Sequence, residues 1–161
     1  MHYCGGRPVF ADIDPETYNI DPDSIEKCIT EKTKAVVAVD FTGQAVEVQR
    51  IREICDKHNL VFIEDAAHSL GTRFNGKPIG SLADMTEFSI HPVKTCTAGE
   101  GGAITTNDDE LYKILLLFRT HGITRVNEWM DKPSEGGWYY QQVDLGYNYR
   151  ITDMQAALLS S

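Results

Sequence analysis

Basic residues, cysteines and long apolar runs are all scarce in this sequence. Fifteen Lys and Arg stand against 24 Asp and Glu, a formal charge of −9 at neutral pH, and no basic run interleaves with aromatic residues. A phosphate backbone would be repelled over most of such a surface, which argues against nucleic acid as a partner. No apolar stretch approaches the roughly 18 residues of a membrane span, and Met1-His2-Tyr3-Cys4-Gly5-Gly6 lacks the charged and apolar regions of a signal peptide. The expected location is the cytoplasm, with no membrane partner. Cys4, Cys28, Cys55 and Cys96 are isolated, with no CxxC pair and no His at zinc-ligand spacing, so neither a disulfide framework nor a structural zinc site is expected. Cys28 and Cys55 fall at apolar positions of helical patterns, which predicts core packing.

What is present suits a folded chain: 161 residues, 42% hydrophobic and 24% charged, enough for one compact domain or a piece of a larger one. The apolar run Pro8-Val9-Phe10-Ala11-Asp12-Ile13 predicts a strand. Asp21-Pro22-Asp23 then supplies an N-cap with Pro at the first helical position. Ile25, Cys28 and Ile29 line that helix, which is expected to run to about Lys34. Ala35-Val36-Val37-Ala38-Val39 reads as a continuously apolar, fully buried strand. Val48, Ile51 and Cys55 mark one face of a second helix, and Leu60-Val61-Phe62-Ile63 begins the next strand. Strands alternating with helices at this spacing predict an α/β fold with a mostly parallel sheet flanked by helices.

From Thr72 to Asn107 the helical pattern disappears. Phe74-Asn75-Gly76-Lys77 predicts a tight hairpin turn, and Thr86-Glu87-Phe88-Ser89-Ile90 a further strand. Gly99-Glu100-Gly101-Gly102 leads into Ala103-Ile104-Thr105-Thr106, after which Asn107 and Glu110 read as a capping box for a helix bearing Leu111, Ile114, Leu115 and Phe118. Gly122 is the expected C′ glycine. Residues 126–137, with mixed charge, a Pro and paired glycines, predict a mobile excursion rather than a linker between two folded domains. Thr152 and Gln155 form another capping box, for a helix that reaches Ser161 with no C-cap signal. The expectation is a chain truncated at both ends.

Ligands of open α/β sheets bind outside the carboxyl ends of the strands. Two polar clusters lie there: Glu64-Asp65-Ala66-Ala67-His68, and Ser89-Ile90-His91-Pro92-Val93-Lys94. Taken singly, Asp65 reads as a helix N-cap, His68 as a satisfied polar residue one turn on, and Lys94 as a solvated lysine. Together, a carboxylate and a lysine at neighbouring strand ends are what pyridoxal phosphate chemistry requires. The lysine forms a Schiff base, and the carboxylate keeps the pyridine nitrogen protonated. Raising a pKa by about 3 units takes about 4 kcal/mol; an ion pair near 4 Å supplies about 4 kcal/mol at an effective dielectric of 20 but only about 1 in bulk water. The carboxylate must therefore be partly sheltered. Asp65, one residue past the apolar run Leu60-Val61-Phe62-Ile63, qualifies, whereas Asp84, Asp108 and Asp109 lie in polar surroundings.

Glu64-Asp65-Ala66-Ala67-His68-Ser69, Phe88-Ser89-Ile90-His91-Pro92-Val93-Lys94 and Thr97-Ala98-Gly99-Glu100-Gly101-Gly102, in this order and spacing, resemble the DegT/DnrJ/EryC1/StrS family of nucleotide-sugar aminotransferases. Gly146-Tyr147-Asn148-Tyr149-Arg150 with Thr152-Asp153-Met154-Gln155-Ala156-Ala157 resembles a further motif of the family. The resemblance implies part of the large domain of a fold-type I transferase, without its smaller C-terminal domain. It implies pyridoxal 5′-phosphate carried by Lys94, Asp65 on the pyridinium nitrogen, His68 near the phenolic oxygen and Ser89 on the phosphate. Asn148 would reach the phosphate of the partner subunit in a homodimer. The implied reaction is a ping-pong transfer of an amino group, expected from glutamate, to a keto group of a nucleotide-linked sugar, with Lys94 as general base and acid. Phe118-Arg119-Thr120-His121-Gly122-Ile123-Thr124-Arg125 and Trp138-Tyr139-Tyr140 resemble, within the family, enzymes of pseudaminic acid biosynthesis. No role is derived for His91, and the GEGG glycines are expected to permit close backbone packing. The 161 residues alone are not expected to turn over substrate.

Two rival readings stand beside this one. Asp65, His68 and His91 are an acceptable ligand set for a hydrolytic metal, although that leaves Lys94 and Ser89 without a purpose. A noncatalytic binding or regulatory protein on the same fold is the other.

Overall fold

The computed structural model describes residues 2–161, in two compact units, one ending at Thr106 and the other comprising Asn107–Ser161. In the first unit a four-stranded sheet has the order β1-β2-β5-β6, made of β1 (Ala35–Val39), β2 (Val61–Asp65), β5 (Met85–Ser89) and β6 (Gly102–Thr105). β1, β2 and β5 run parallel, and β6 returns antiparallel to β5. The expected α/β fold with a mostly parallel sheet is thus present. Between β2 and β5 sits a hairpin of β3 (Arg73–Phe74) and β4 (Lys77–Pro78). Asn75 and Gly76 turn it with φ of 49° and 80°, the two positive values that a primed two-residue turn requires.

The helices of this unit are α1 (Pro22–Cys28) and α2 (Val48–His58). Asp21 caps α1 by accepting from Asp23 N, and Pro22 is its first residue, as its sequence predicts. α1 stops well short of Lys34 because the following residues satisfy themselves as a turn: Thr33 N donates to Thr30 O and Thr30 N to Thr33 Oγ1, both at 2.9 Å. Such side-chain bonds compete with helix. α2 ends in Asn59, whose φ of 53° puts it in the left-handed region, and its buried residues Val48, Ile51, Ile54 and Cys55 join Ile25 of α1 and Val36, Ala38, Phe62 and Phe88 of the sheet in one apolar cluster. Cys55 is core, as expected, whereas Cys28 is only half-buried.

Register explains which side chains enter that cluster. Val36 pairs with Phe62, Ala38 with Glu64, and Glu64 with Thr86, and successive residues of a strand point to opposite faces. The cluster therefore takes every second residue. β1 is buried on this face only: Ala35 and Val39 are exposed at its ends, which corrects the expectation of a fully buried strand. Asp84 ties helix to sheet, accepting from Arg52 Nη1 and Nη2 at 2.7 and 2.9 Å and from Phe62 N at 2.7 Å; the Arg52 guanidinium holds its carboxyl below the usual range.

Residues 8–13 do not form the expected strand. Their one ladder contact is an isolated bridge from Ile13 to Ile20, and Val9 and Phe10 are 69% and 89% exposed. An apolar run becomes a strand only where a neighbour satisfies its backbone, and Pro8 removes a donor besides.

The second unit holds α3 (Asp109–Arg119), a short pair of β7 (Ile123–Thr124) with β8 (Gln141–Gln142), and α4 (Asp153–Leu159). The cap of α3 is Asp108, whose Oδ1 accepts from Leu111 N at 2.8 Å, one residue later than the predicted Asn107 box. A carboxylate at that place also meets the helix dipole favourably. The C′ position belongs to His121, with φ of 57°, and Gly122 follows it at C″, with φ of 68° and its N–H on Leu117 O at 2.8 Å. An alanine Cβ at Gly122 would lie 1.9 Å from Asp144 O, so the glycine is required by space as much as by φ. Residues 126–137 are irregular apart from one 3₁₀ turn, Asn127–Trp129. The Thr152/Gln155 capping box of α4 is complete in both directions. Among the described residues no helix is long and apolar enough to cross a membrane.

Candidate active site

The carboxyl ends of β2 and β5 adjoin, since Asp65 pairs with Glu87 in the parallel ladder. Asp65 is the last residue of β2 and half-buried, and belongs to the sheet face opposite the apolar cluster. It does not cap a helix. Its Oδ1 accepts from Ala67 N at 3.1 Å, and the chain leaves through a turn closed by Ser69 N on Ala66 O. That turn carries His68. From β5 the chain passes through Ser89 into a second turn closed by Lys94 N on His91 O at 3.0 Å. Lys94 Nζ lies 2.7 Å from His68 Nε2. The two turns thus bring together the lysine and the histidine, 26 residues apart in the chain, over the strand end that bears Asp65.

Ser89 Oγ accepts from His91 N at 3.4 Å. His91 is a brace rather than a ligand: its Nδ1 accepts from Val93 N at 3.3 Å, and its Nε2 faces Glu100 Oε1 at 3.6 Å. Of the GEGG run, Gly102 makes the close approach that was expected, an added Cβ lying 3.1 Å from Phe88 O. Asn148 lies in the second unit, exposed and bridged to Thr120.

Three carboxyls that the residue pattern did not single out surround this end of the sheet. Asp40, directly after β1, is fully buried; its Oδ1 accepts from Val46 N at 2.9 Å and its Oδ2 from Ser69 Oγ at 2.5 Å, and its N–H donates to Asp65 O at 3.0 Å. Burial pushes its carboxyl up, against the hydrogen bonds from Ser69 and Val46. This residue could have been found by the rule that found Asp65, because it too follows a buried apolar run. Glu64, on the core face, is fully buried with Oε2 accepting from Thr86 Oγ1 at 3.0 Å. Burial first, and the charge of Asp40 second, push it up to about 7. Glu87 is raised by burial and by the Asp65 carboxyl, and held down by Lys94. No local pattern marks Glu64 or Glu87; only pairing reveals their surroundings.

The donor set fits pyridoxal phosphate. A primary amine touching an imidazole meets the needs of its aldehyde end, a sheltered carboxyl those of the pyridine nitrogen, and the Ser89 hydroxyl offers a donor to the phosphate. It does not fit a metal: Asp65, His68 and His91 do not assemble, and among the described residues no three His, Cys, Asp or Glu do. The physical reason is that His68 is engaged by Lys94 and His91 by Val93 and Glu100.

Comparison with known proteins agrees with this geometry. The model of the DegT/DnrJ/EryC1/StrS aminotransferase family matches residues 1–161. A pleiotropic regulatory protein of Geobacillus stearothermophilus is 46% identical over 98% of this chain and 39% of its own length. The UDP-4-amino-4,6-dideoxy-N-acetyl-β-L-altrosamine transaminase of Helicobacter pylori is 40% identical over 96% of this chain and 38% of its own. Among solved structures, Helicobacter pylori PseC, an aminotransferase involved in the biosynthesis of pseudoaminic acid, superposes with a TM-score of 0.88 at 38% identity, covering 98% of this chain and 40% of that one. The chain spans about two fifths of the length of these relatives.

Proposed function

Because the chain belongs to the DegT/DnrJ/EryC1/StrS aminotransferase family, we propose that it forms part of the cofactor-binding large domain of a pyridoxal phosphate-dependent aminotransferase acting on a nucleotide-linked sugar. The observation that carries this reading is the Lys94–His68 contact of 2.7 Å beside Asp65. Lys94 would hold the cofactor at its aldehyde carbon, Asp65 would face the pyridine nitrogen, His68 the phenolic oxygen and Ser89 the phosphate. When bound, the cofactor supplies an electron sink for the carbon that loses its proton.

The chain's own residues do the rest. Lys94 Nζ, freed once the amino donor takes its place, would take the proton from the donor's α-carbon, the donor expected to be glutamate, and deliver it to the carbon that had carried the aldehyde. His68 Nε2 fixes the amine's direction by hydrogen bonding, which confines Nζ to one side of the sheet edge. The Asp65 carboxylate, half-buried between β1 and β5, holds a proton on the pyridine nitrogen more strongly than it would in open water. Asn148 would serve the phosphate of the partner protomer in a homodimer, and the cytoplasm is the proposed location. The acceptor proposed is the keto-sugar precursor of UDP-4-amino-4,6-dideoxy-N-acetyl-β-L-altrosamine, the product in the name of a relative 40% identical, with the precursor of GDP-perosamine, the product in the name of a relative 43% identical, as the alternative.

A noncatalytic reading has one observation in its favour, the regulatory name of the relative at 46% identity. One experiment separates the two. The protein expressed from its complete reading frame is given glutamate and nucleotide-linked keto-sugars, and products are identified by mass spectrometry. An aminated sugar with the native sequence and none with Lys94→Ala is expected. Transfer by Lys94→Ala at the native rate would overturn the mechanism, and absence of transfer to any keto-sugar would favour the regulatory reading.

A further inference from the structure

Asp65 does not stand alone at the end of β2. Glu87 is its register partner on β5, so both side chains leave the same face of the sheet, and Ala66 N on Glu87 O at 2.8 Å locks the two strands together at this level. Both residues are half-buried, and burial together with the neighbouring Asp65 carboxyl pushes Glu87 up. Two carboxyls side by side on a half-covered face oppose each other's ionisation, so the pair favours keeping one proton between them. The charged groups facing Glu87 are Asp65 and Lys94. Its neighbours on the other side belong to β6, where Gly102, Ala103, Ile104 and Thr105 carry no titratable group.

From this geometry we infer that Glu87 is a positioning residue for the proposed cofactor, the second carboxyl of a pair that holds one proton and surrenders it when a pyridinium takes its place against Asp65. The inference rests on the aminotransferase reading. In the step, the carboxyl O–H bond breaks with its electron pair remaining on oxygen. The proton goes either to the ring nitrogen's lone pair or, when that nitrogen is already protonated, to solvent. No oxidant or reductant is involved. The pair's negative charge then rises from one to two as the positive ring arrives, which is the arrangement that holds a ring proton most firmly.

Proton linkage makes this testable without catalysis. The probe is pyridoxine 5′-phosphate, which has the ring and phosphate but no aldehyde, so it forms no bond with Lys94. Its affinity for the full chain and for Glu87→Gln is measured by equilibrium dialysis across pH, while carboxyl NMR of the unliganded chain gives the Glu87 midpoint. Below that midpoint the ratio of native to variant affinity is expected to rise about tenfold per pH unit, and above it to stay constant. In the same spectra Asp65→Asn should bring the Glu87 midpoint down toward that of an ordinary glutamate. A ratio constant over all pH, or a Glu87 midpoint indifferent to Asp65→Asn, would overturn the inference and leave the aminotransferase reading standing. Failure of both native and variant chains to bind the probe would overturn both.

Discussion

Replacing Glu64 with Gln should remove a pH dependence of stability that has one identifiable source. Glu64 is fully buried, its Oε2 is held by Thr86 Oγ1, and it ionises near 7 rather than at its ordinary 4.5 because water is excluded and Asp40 is near. The folded state thus binds this proton more tightly than the unfolded state does. Below 4.5 the group is protonated in both states and the stabilisation is complete. Between 4.5 and 7 the unfolded chain ionises first, and stability falls as pH rises; above 7 the loss is constant. Ionising near 7 rather than at 4.5 corresponds to about 3 kcal/mol, most of which is lost between pH 5 and pH 8. Gln is isosteric, accepts the same Thr86 hydroxyl and cannot ionise. Urea titrations of both proteins at pH 5, 6, 7 and 8 would measure the effect. With a urea dependence of about 1–3 kcal/mol per molar, the native midpoint should fall relative to the variant's by roughly 1–2 M across that range. Glu87, also raised, contributes equally to both proteins and cancels in the comparison, whereas Asp40, whose charge acts on Glu64, titrates with it, so the difference between the profiles belongs to that pair. Parallel pH profiles would refute the reasoning.

Asp84→Ala removes the partner of Arg52 and of the Phe62 N–H together, and should cost about 2–3 kcal/mol in chemical denaturation at pH 7, with the loss disappearing at acid pH as the native carboxyl protonates. An unchanged midpoint would show that water replaces the carboxylate fully. Gly122→Ala places a Cβ 1.9 Å from Asp144 O at a φ of 68°, and the Val143 N–H bonded to Gly122 O at 2.8 Å should lose at least tenfold of its hydrogen-exchange protection, a change of about 1.4 kcal/mol or more. Equal protection would mean that the β7–β8 turn absorbs the methyl.

The elements that could be read along the chain are those fixed by local physics. α2 shows its apolar stripe, the Asn75-Gly76 turn its demand for positive φ, and the Thr152/Gln155 box its reciprocal caps, and each forms where its residues predict. What failed either lacked a pairing partner elsewhere in the chain or met a local competitor. Residues 8–13 have strand composition but only a single bridge to pair with, and Thr30 and Thr33 close a turn where hydrophobic spacing alone would continue α1. Asp108 caps α3 in place of its neighbour Asn107, a side chain of similar chemistry, and the left-handed backbone at the other end begins at His121, one residue before the expected Gly122.

The site divides in the same way. Asp65 is legible because it ends one parallel strand and Lys94 because it follows the next, and His68 because it lies in the turn beyond Asp65. Their convergence, with Nζ and Nε2 at 2.7 Å, follows from β2 and β5 being neighbours. Glu87 was hidden inside a strand, where a charged residue on a half-covered face looks like an ordinary solvated one. Only the register with Asp65 gives it a role.

The most direct test of the central claim, that this sheet edge is a pyridoxal phosphate site centred on Lys94, is reductive labelling. Pyridoxal phosphate is added to the folded chain, borohydride fixes any adduct, and peptide mass mapping locates it, with circular dichroism confirming the fold. One dominant pyridoxyl group on Lys94, lost in Lys94→Ala, is the predicted result. Label spread over Lys27, Lys57, Lys77 and the other surface lysines of a folded chain, with no preference for Lys94, would contradict it.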